Sequence, residues 1–215
     1  MEPTPPATRP STQMGYQRIA TEEAFAPPEM LDIYRKLLAH SDVDPGFKGL
    51  MGFYMSSPSA RAQHIMRCLQ DLDQVRLQHM DEAGIDRQVI ALTAPGVQVM
   101  DKATAVSFSR LANDQLAEAV RRHPTRFTGM IAVAPQDPAA AAKEIERGVT
   151  KLGMNSVIIN SHTQGEYLSD SKFWDIFAAA EAHDVPIYLH PNSLPRNMIQ
   201  PFQECGLDGA IYGFG

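Results

Sequence analysis

Short apolar runs alternate with longer amphipathic stretches along the chain. The interiors of these runs hold Val and Ile without polar alternation, a pattern typical of parallel strands that are covered on both faces. The first run is shorter and weaker than the others. The sequence therefore predicts five strands, at residues 18–22, 88–93, 127–135, 156–161 and 186–191.

The two longest intervening stretches have the apolar spacing of amphipathic helices. Residues 59–84 place apolar side chains near a 3.6-residue period and end at Gly84, a residue typical of helix C-termini. Residues 104–123 repeat this spacing and stop before Pro124. Each stretch therefore predicts a helix that packs one face on the sheet.

Two further helices are predicted from their boundary residues. Asp137 followed by Pro138 has the order of an N-cap and a first helical residue, and Gly153 is placed to end that helix. Either Ser169 or Asp170 is placed to cap the next helix. Strands and helices thus alternate through most of the chain.

This alternation predicts a parallel sheet with right-handed crossovers, either open and doubly wound or closed as a (β/α)₈ barrel. An open nucleotide-binding sheet usually has a glycine-rich turn after its first strand, whereas residues 23–28 contain no glycine. The last residues, 211–215, are apolar and glycine-rich, as if the domain were cut there. We therefore expect about the first five units of a TIM barrel, one domain over residues 15–215 behind a mobile Pro- and Thr-rich tail at 1–14.

Composition narrows the class of protein. The chain has 215 residues and a formal net charge of −6, which argues mildly against a nucleic-acid partner. Its two cysteines suit a reducing compartment, and we expect a cytoplasmic protein. No apolar run approaches the roughly 18 residues that a spanning helix needs, so we expect no membrane partner.

Chemistry in parallel architectures lies at the carboxyl ends of the strands. Glu22 ends the first predicted strand and His190 ends the fifth. Taken alone, Glu22 is read somewhat more readily as an N-cap or a salt-bridged surface acid, and His190 as a core histidine bonded to a backbone carbonyl. A carboxylate and an imidazole at one sheet edge nevertheless make a divalent metal site plausible, although two ligands are fewer than a catalytic site normally uses.

Weaker candidates lie nearby. Thr93 ends the second predicted strand, and His162 lies in a polar loop that is either a substrate contact or a solvent-facing turn. Tyr54 and Arg61 belong to a long insertion, where an aromatic ring and a guanidinium could hold an aromatic carboxylate. The residues alone favour ordinary packing and a surface arginine for this insertion. Five other histidines are expected to be structural or solvated: His40, His64, His79, His123 and His183.

Five segments in order resemble one family. The metal-dependent decarboxylases of the amidohydrolase superfamily have similar runs, most of all the 5-carboxyvanillate branch, with γ-resorcylate and aminocarboxymuconate-semialdehyde decarboxylases as wider relatives. The resemblance covers about residues 15–215. It rests on residues 18–25 (RIATEEAF), 92–98 (LTAPGVQ), 133–138 (VAPQDP), 159–165 (INSHTQG) and 188–191 (YLHP).

The resemblance implies an amidohydrolase-type barrel with one divalent metal ion, Mn or Zn. Glu22 and His190 would be metal ligands. Many relatives have Glu-x-His after the first strand, whereas Ala24 stands here, as in the carboxyvanillate branch. Tyr54 and Arg61 would contact the substrate, as would Thr93 and His162 with weaker support.

The implied activity is non-oxidative decarboxylation of a hydroxylated aromatic carboxylic acid, 5-carboxyvanillate-like, by a homo-oligomer (a dimer or tetramer). The family's catalytic histidine and aspartate would follow later strands, beyond Gly215. Two alternatives stay open. One is a metal-dependent hydrolase of a lactone or amide. The other is an incomplete fragment that serves only as a folding or association module, because five barrel strands leave two exposed edges.

Overall fold

The computed structural model describes residues 15–207, so the predicted tail at 1–14 lies outside the described residues. Strands and helices alternate as predicted. The strands are β1 (Ile19–Phe25), β2 (Arg87–Leu92), β3 (Phe127–Gly129), β4 (Ile131–Ala132), β5 (Val157–Asn160) and β6 (Ile187–His190). The helices are α1 (Pro28–Leu38), α2 (Pro45–Ser56), α3 (Ala60–Leu69), α4 (Gln74–Ala83), α5 (Lys102–Arg122), α6 (Pro138–Thr150), α7 (Trp174–Ala182) and α8 (Arg196–Glu204).

All strand pairings are parallel, in the orders β1-β2-β3 and β4-β5-β6. The third predicted strand, 127–135, is interrupted at Met130 and ends earlier, at Ala132. Met130 donates its N–H to the carbonyl of Ile90 in β2, and Ile131 donates its N–H to the carbonyl of Ser156, just before β5. The strand therefore pairs with β2 in its first half and with β5 in its second half. β3 and β4 are thus halves of one barrel strand, and five β/α units are present as expected.

The prediction that every strand is covered on both faces holds in the centre and is wrong at the edges. All four residues of β5 are buried. By contrast, Ile19 of β1 is 50% exposed and Leu189 of β6 is 57% exposed. These are the outermost strands among the described residues, so each lacks a neighbour on one side.

The single helix predicted over 59–84 is wrong, because the structure divides it into α3 and α4. Oδ1 of Asp71 accepts the backbone N–H groups of Asp73 and Arg76, at 3.0 and 2.9 Å. A short acidic side chain that bonds nearby backbone in this way competes with helical hydrogen bonding. Gly84 ends α4 as predicted, with a left-handed φ of 66°.

The predicted caps of the later helices are confirmed. Asp137 accepts the Ala140 N–H at the start of α6. Asp170, rather than Ser169, accepts the Lys172 N–H at the start of the short 3₁₀ turn that leads into α7. Of these two helices, α6 packs against β4 and against α7.

Candidate metal and substrate site

Carboxyl ends of the strands surround a cavity of about 330 Å³. Glu22 of β1 and His190 of β6 lie on its wall, together with Thr93 after β2 and Tyr54 of α2. Most of the remaining wall is apolar, from residues such as Met51. Four of the six residues predicted for the site therefore share one pocket.

A bulge in β1 sets the position of Glu22. Ala20 pairs with Gln88 and Glu23 pairs with Ile90, so β1 holds one residue more than β2 between the two pairs. Such bulges bend a strand and redirect side chains, and they recur beside functional sites. Here the extra residue falls at the candidate carboxylate.

Glu22 and His190 meet across the cavity. The Nε2 atom of His190 lies 3.1 Å from Oε1 of Glu22. Nδ1 of the same ring lies 2.6 Å from the carbonyl of Pro191, which can only accept, so Nδ1 carries the proton. In the neutral ring, Nε2 therefore points a lone pair at the carboxylate.

Two facing lone pairs need a cation between them or a proton on the ring. An imidazole whose Nδ1–H is held by a backbone carbonyl is the usual form of a metal-binding histidine. A carboxylate oxygen and an imidazole nitrogen suit ions such as Zn²⁺ or Mn²⁺. The donor set thus fits a divalent metal ion. Within residues 15–207, no group of three His, Cys, Asp or Glu side chains converges on one point.

Tyr188 is a site residue that sequence reasoning missed. It lies two positions before His190 on β6, and its hydroxyl hydrogen-bonds the Glu22 carboxylate, which raises the pKa of the phenol. Residues i and i+2 of a strand share a face, so a tyrosine at this position could have been suspected from His190. Tyr188 therefore helps to hold the Glu22 carboxylate in place.

Arg61 and His162 lie apart from this cavity. Arg61 is exposed in the first turn of α3 and is not part of the cavity wall. His162 is buried in the wall of a separate cavity of about 930 Å³ between the loops after β5 and β6. Its Nε2 donates to the Ser193 carbonyl at 2.7 Å, and its Nδ1 accepts the Gly165 N–H at 3.1 Å. Nε2 of His162 thus joins the loop after β5 to the loop after β6, and Nδ1 bonds within the loop after β5.

Gln98 is a second residue with an unpredicted role. Its Nε2 group donates to the carbonyls of Asn160 and His162, at 3.0 and 2.9 Å, and to the Thr163 hydroxyl. Its Oε1 accepts the Asn160 N–H at 2.6 Å. One buried carboxamide therefore fastens the turn after β2 to the end of β5.

The comparisons with known proteins agree with this geometry. The model of the amidohydrolase family (Amidohydro_2) matches residues 64–206, and the chain belongs to this family. A γ-resorcylate decarboxylase from Polaromonas sp. (strain JS666) is 38% identical over 155 residues, which are 68% of this chain and 48% of the relative.

Two solved structures are also similar. The 5-carboxyvanillate decarboxylase of Novosphingobium aromaticivorans, complexed with manganese and 4-hydroxy-3-methoxy-5-nitrobenzoic acid, superimposes with a TM-score of 0.90. It is 48% identical, over 96% of this chain and 59% of that one. The enzyme of the same name from Sphingomonas paucimobilis has a TM-score of 0.82 and 36% identity, over 92% and 58% of the two chains.

The fold expected from the sequence is therefore confirmed: the described residues form part of an amidohydrolase-type (β/α)₈ barrel. The chain spans about half the length of the curated relatives it matches.

Proposed function

We propose that the enzyme built on this chain is a metal-dependent, non-oxidative decarboxylase of a hydroxylated aromatic carboxylic acid, 5-carboxyvanillate-like. The observation that carries the proposal is the contact between Glu22 and His190 inside a mostly apolar cavity. A flat aromatic ring suits such walls, and its anionic oxygens suit a cation held by the pair. Relatives named for this reaction on aromatic acids support the choice of chemistry.

One divalent ion, Mn or Zn, would be held by Glu22 and His190. When bound, such an ion supplies Lewis-acid stabilisation of the charge on phenolate and carboxylate oxygens. Tyr54 and Thr93 would contact the ring from the cavity wall, and Arg61 and His162 stay predictions from the resemblance. In the reaction, the bond from the ring to the carboxylate breaks, CO₂ leaves, and a proton is added to the ring carbon. The donor of that proton would be the aspartate expected beyond Gly215.

The proposal is tested by assaying the full-length enzyme, loaded with Mn²⁺, on 5-carboxyvanillate labelled with ¹³C in its 5-carboxylate. We expect labelled CO₂ to appear as substrate disappears. A parallel assay on γ-resorcylate separates the two branches of the family. Incorporation of ¹⁸O from water into a lactone or amide, without release of CO₂ from any aromatic acid, would make the protein a hydrolase. Failure to bind metal or either acid would favour the association module.

Tyr188→Phe should weaken metal binding about tenfold, in the range typical of groups that orient a ligand. The change removes the hydroxyl that hydrogen-bonds Glu22 but keeps the ring. The dissociation constant for Mn²⁺, measured by competition with a chelator, checks this expectation. Tyr167→Phe, at an exposed tyrosine in the loop after β5, is the matched control. Equal Mn²⁺ affinity in the two variants would show that Tyr188 does not support the metal site.

Arg61→Ala should raise KM for the aromatic acid or lower kcat, with the metal content unchanged, if the guanidinium grips a substrate carboxylate. Steady-state kinetics and metal analysis on the same preparation check this. Arg67→Ala is the control, because Arg67 is an exposed arginine near the other end of α3. Kinetic constants that match those of Arg67→Ala would show that Arg61 is a surface arginine with no role in substrate binding.

We further propose a cytoplasmic homo-oligomer, a dimer or tetramer, that forms one barrel domain from residue 15 onward. The exposed rings of Trp174 and Phe177 on α7 support an intersubunit contact. No helix within residues 15–207 is long and apolar enough to cross a bilayer. Light scattering of the full-length enzyme tests the oligomeric state. Fractionation of cells that express it tests the cytoplasmic location.

A further inference from the structure

Two helices supply an apolar side of the 330 Å³ cavity. α2 packs against α3, and α3 packs against β1. Together the two helices provide six wall residues: Leu50, Met51, Tyr54, Ile65, Met66 and Leu69. Each helix uses positions i, i+1 and i+4, which share one side of a helix. Of these six side chains, that of Tyr54 is the one with a hydroxyl, so a ligand meets few polar groups on this side.

Leu50 and Ile65 differ from the other four side chains, which belong to the hydrophobic core or pack against it. Both are half-buried and line the cavity, and within residues 15–207 neither is part of the core cluster or of the layer that packs on it. Their apolar surface is therefore available to a ligand rather than used in core packing. A ligand that covers this surface removes it from water, which is favourable.

The charged side chains of the wall lie on the strands: Glu22 and Glu23 on β1, and His190 on β6. An aromatic acid whose anionic oxygens are held at the pair of Glu22 and His190 has its remaining ring edge towards the uncharged wall, which α2 and α3 supply in large part. A hydroxyl on that edge would be buried against apolar side chains without a partner, which is costly. A methoxy or alkyl group has no donor to leave unpaired.

We propose that Leu50 and Ile65 determine specificity, by selecting an aromatic acid with an apolar ring substituent, such as methoxy, over one with a hydroxyl-bearing group in its place. This inference rests on the proposed function and adds which ring substituent the site accepts. The two side chains act through the apolar area they offer and through their lack of hydrogen-bonding groups. Neither has an atom that binds a metal ion, so substituent selection and metal binding are separable.

The test uses the full-length, Mn²⁺-loaded enzyme and two probes, 4-hydroxy-3-methoxy-5-nitrobenzoic acid and its isomer with a hydroxymethyl group in place of methoxy. The two substituents contain the same atoms, but only hydroxymethyl has a donor. We expect the wild type to bind the methoxy probe about tenfold more tightly, the effect of one unpaired hydroxyl. Calorimetric titration measures the two dissociation constants and their ratio.

Leu50→Asn and Ile65→Thr each place a hydrogen-bonding group on the same wall with little change of shape. In each variant, the ratio of the two dissociation constants should fall to about threefold or less, with the manganese content unchanged. Leu111→Asn is the matched control, because Leu111 is an exposed leucine of α5 and is not part of the cavity wall. This control should keep the wild-type ratio.

A merely structural role of Leu50 and Ile65 would lower Tm in the two variants and leave the ratio of the dissociation constants at the wild-type value, which would overturn the inference. Equal binding of the two isomers by the wild type would also overturn it. Failure of the proposed function is distinguishable, because it would show as a wild-type enzyme that discriminates between the isomers but releases no CO₂ from 5-carboxyvanillate. Release of CO₂ without discrimination between the isomers would overturn this inference alone.

Discussion

His190→Ala should remove the divalent metal from the full-length enzyme and abolish its decarboxylase activity. Among residues 15–207, the ring supplies the only imidazole nitrogen on the wall of the 330 Å³ cavity, and that nitrogen faces Glu22 at 3.1 Å. Loss of a direct ligand should weaken metal binding by more than the roughly 10–100-fold caused by loss of an orienting group. Metal analysis after dialysis, together with Mn²⁺ titration, measures the effect.

The fold should survive this change. His190 is half-buried at the rim of the strand ends, away from the packed interior of β5, α6 and α7. Thermal unfolding without metal should therefore give nearly the wild-type Tm. His183→Ala is the control, because His183 follows α7 before the start of β6, at the opposite end of that strand from His190. Full metal content and full activity in His190→Ala would contradict the assignment of the site.

The features that the sequence predicted correctly are those encoded in local pattern. Uninterrupted apolar runs and 3.6-residue spacing predicted five β/α units, and the order of Asp137 and Pro138 predicted the start of α6. The strand-end rule then selected Glu22 and His190, which the structure brings into contact. Parallel strands place their carboxyl ends at one edge, so this pairing needed no knowledge of distant contacts.

The missed features depend on contacts between distant parts of the chain. Gln98 and Asn160 are 62 positions apart, and nothing in the local pattern around Gln98 distinguishes a clamp from a loop glutamine. The break between α3 and α4 depends on a side chain of Asp71 that bonds nearby backbone, which apolar periodicity does not register. Tyr188 stands inside the predicted strand at 186–191, and a local pattern does not show its hydrogen bond to Glu22 on the distant first strand.

We expect a second large effect, on the free energy of unfolding, at the contact between β4 and the helices α5 and α6. Glu144 of α6 is only 3% exposed, and its Oε1 accepts from Arg147 and from Asn113, each at 2.7 Å. The Asn113 carboxamide in turn bonds both the N–H and the carbonyl of Ala132, at 2.8 Å each. This network joins α5 and α6 to β4, and its hydrogen bonds raise the pKa of Arg147 above the ordinary value.

Arg147→Leu should therefore lower the free energy of unfolding by about 3–5 kcal/mol, the cost of removing the main cationic partner of a buried carboxylate, which would keep only Asn113 and the more distant Arg110 at 3.6 Å. Denaturant titration at constant pH measures this. Arg121→Leu breaks an exposed pair with Glu118 and should cost about 0–1 kcal/mol. The double variant Arg147→Leu/Glu144→Leu should regain much of the loss, since it removes the stranded charge together with its partner. A loss in the free energy of unfolding from Arg147→Leu that is no larger than the loss from Arg121→Leu would contradict this prediction. It would show that Glu144 does not depend on Arg147 and that the network does not fasten α6 to the barrel.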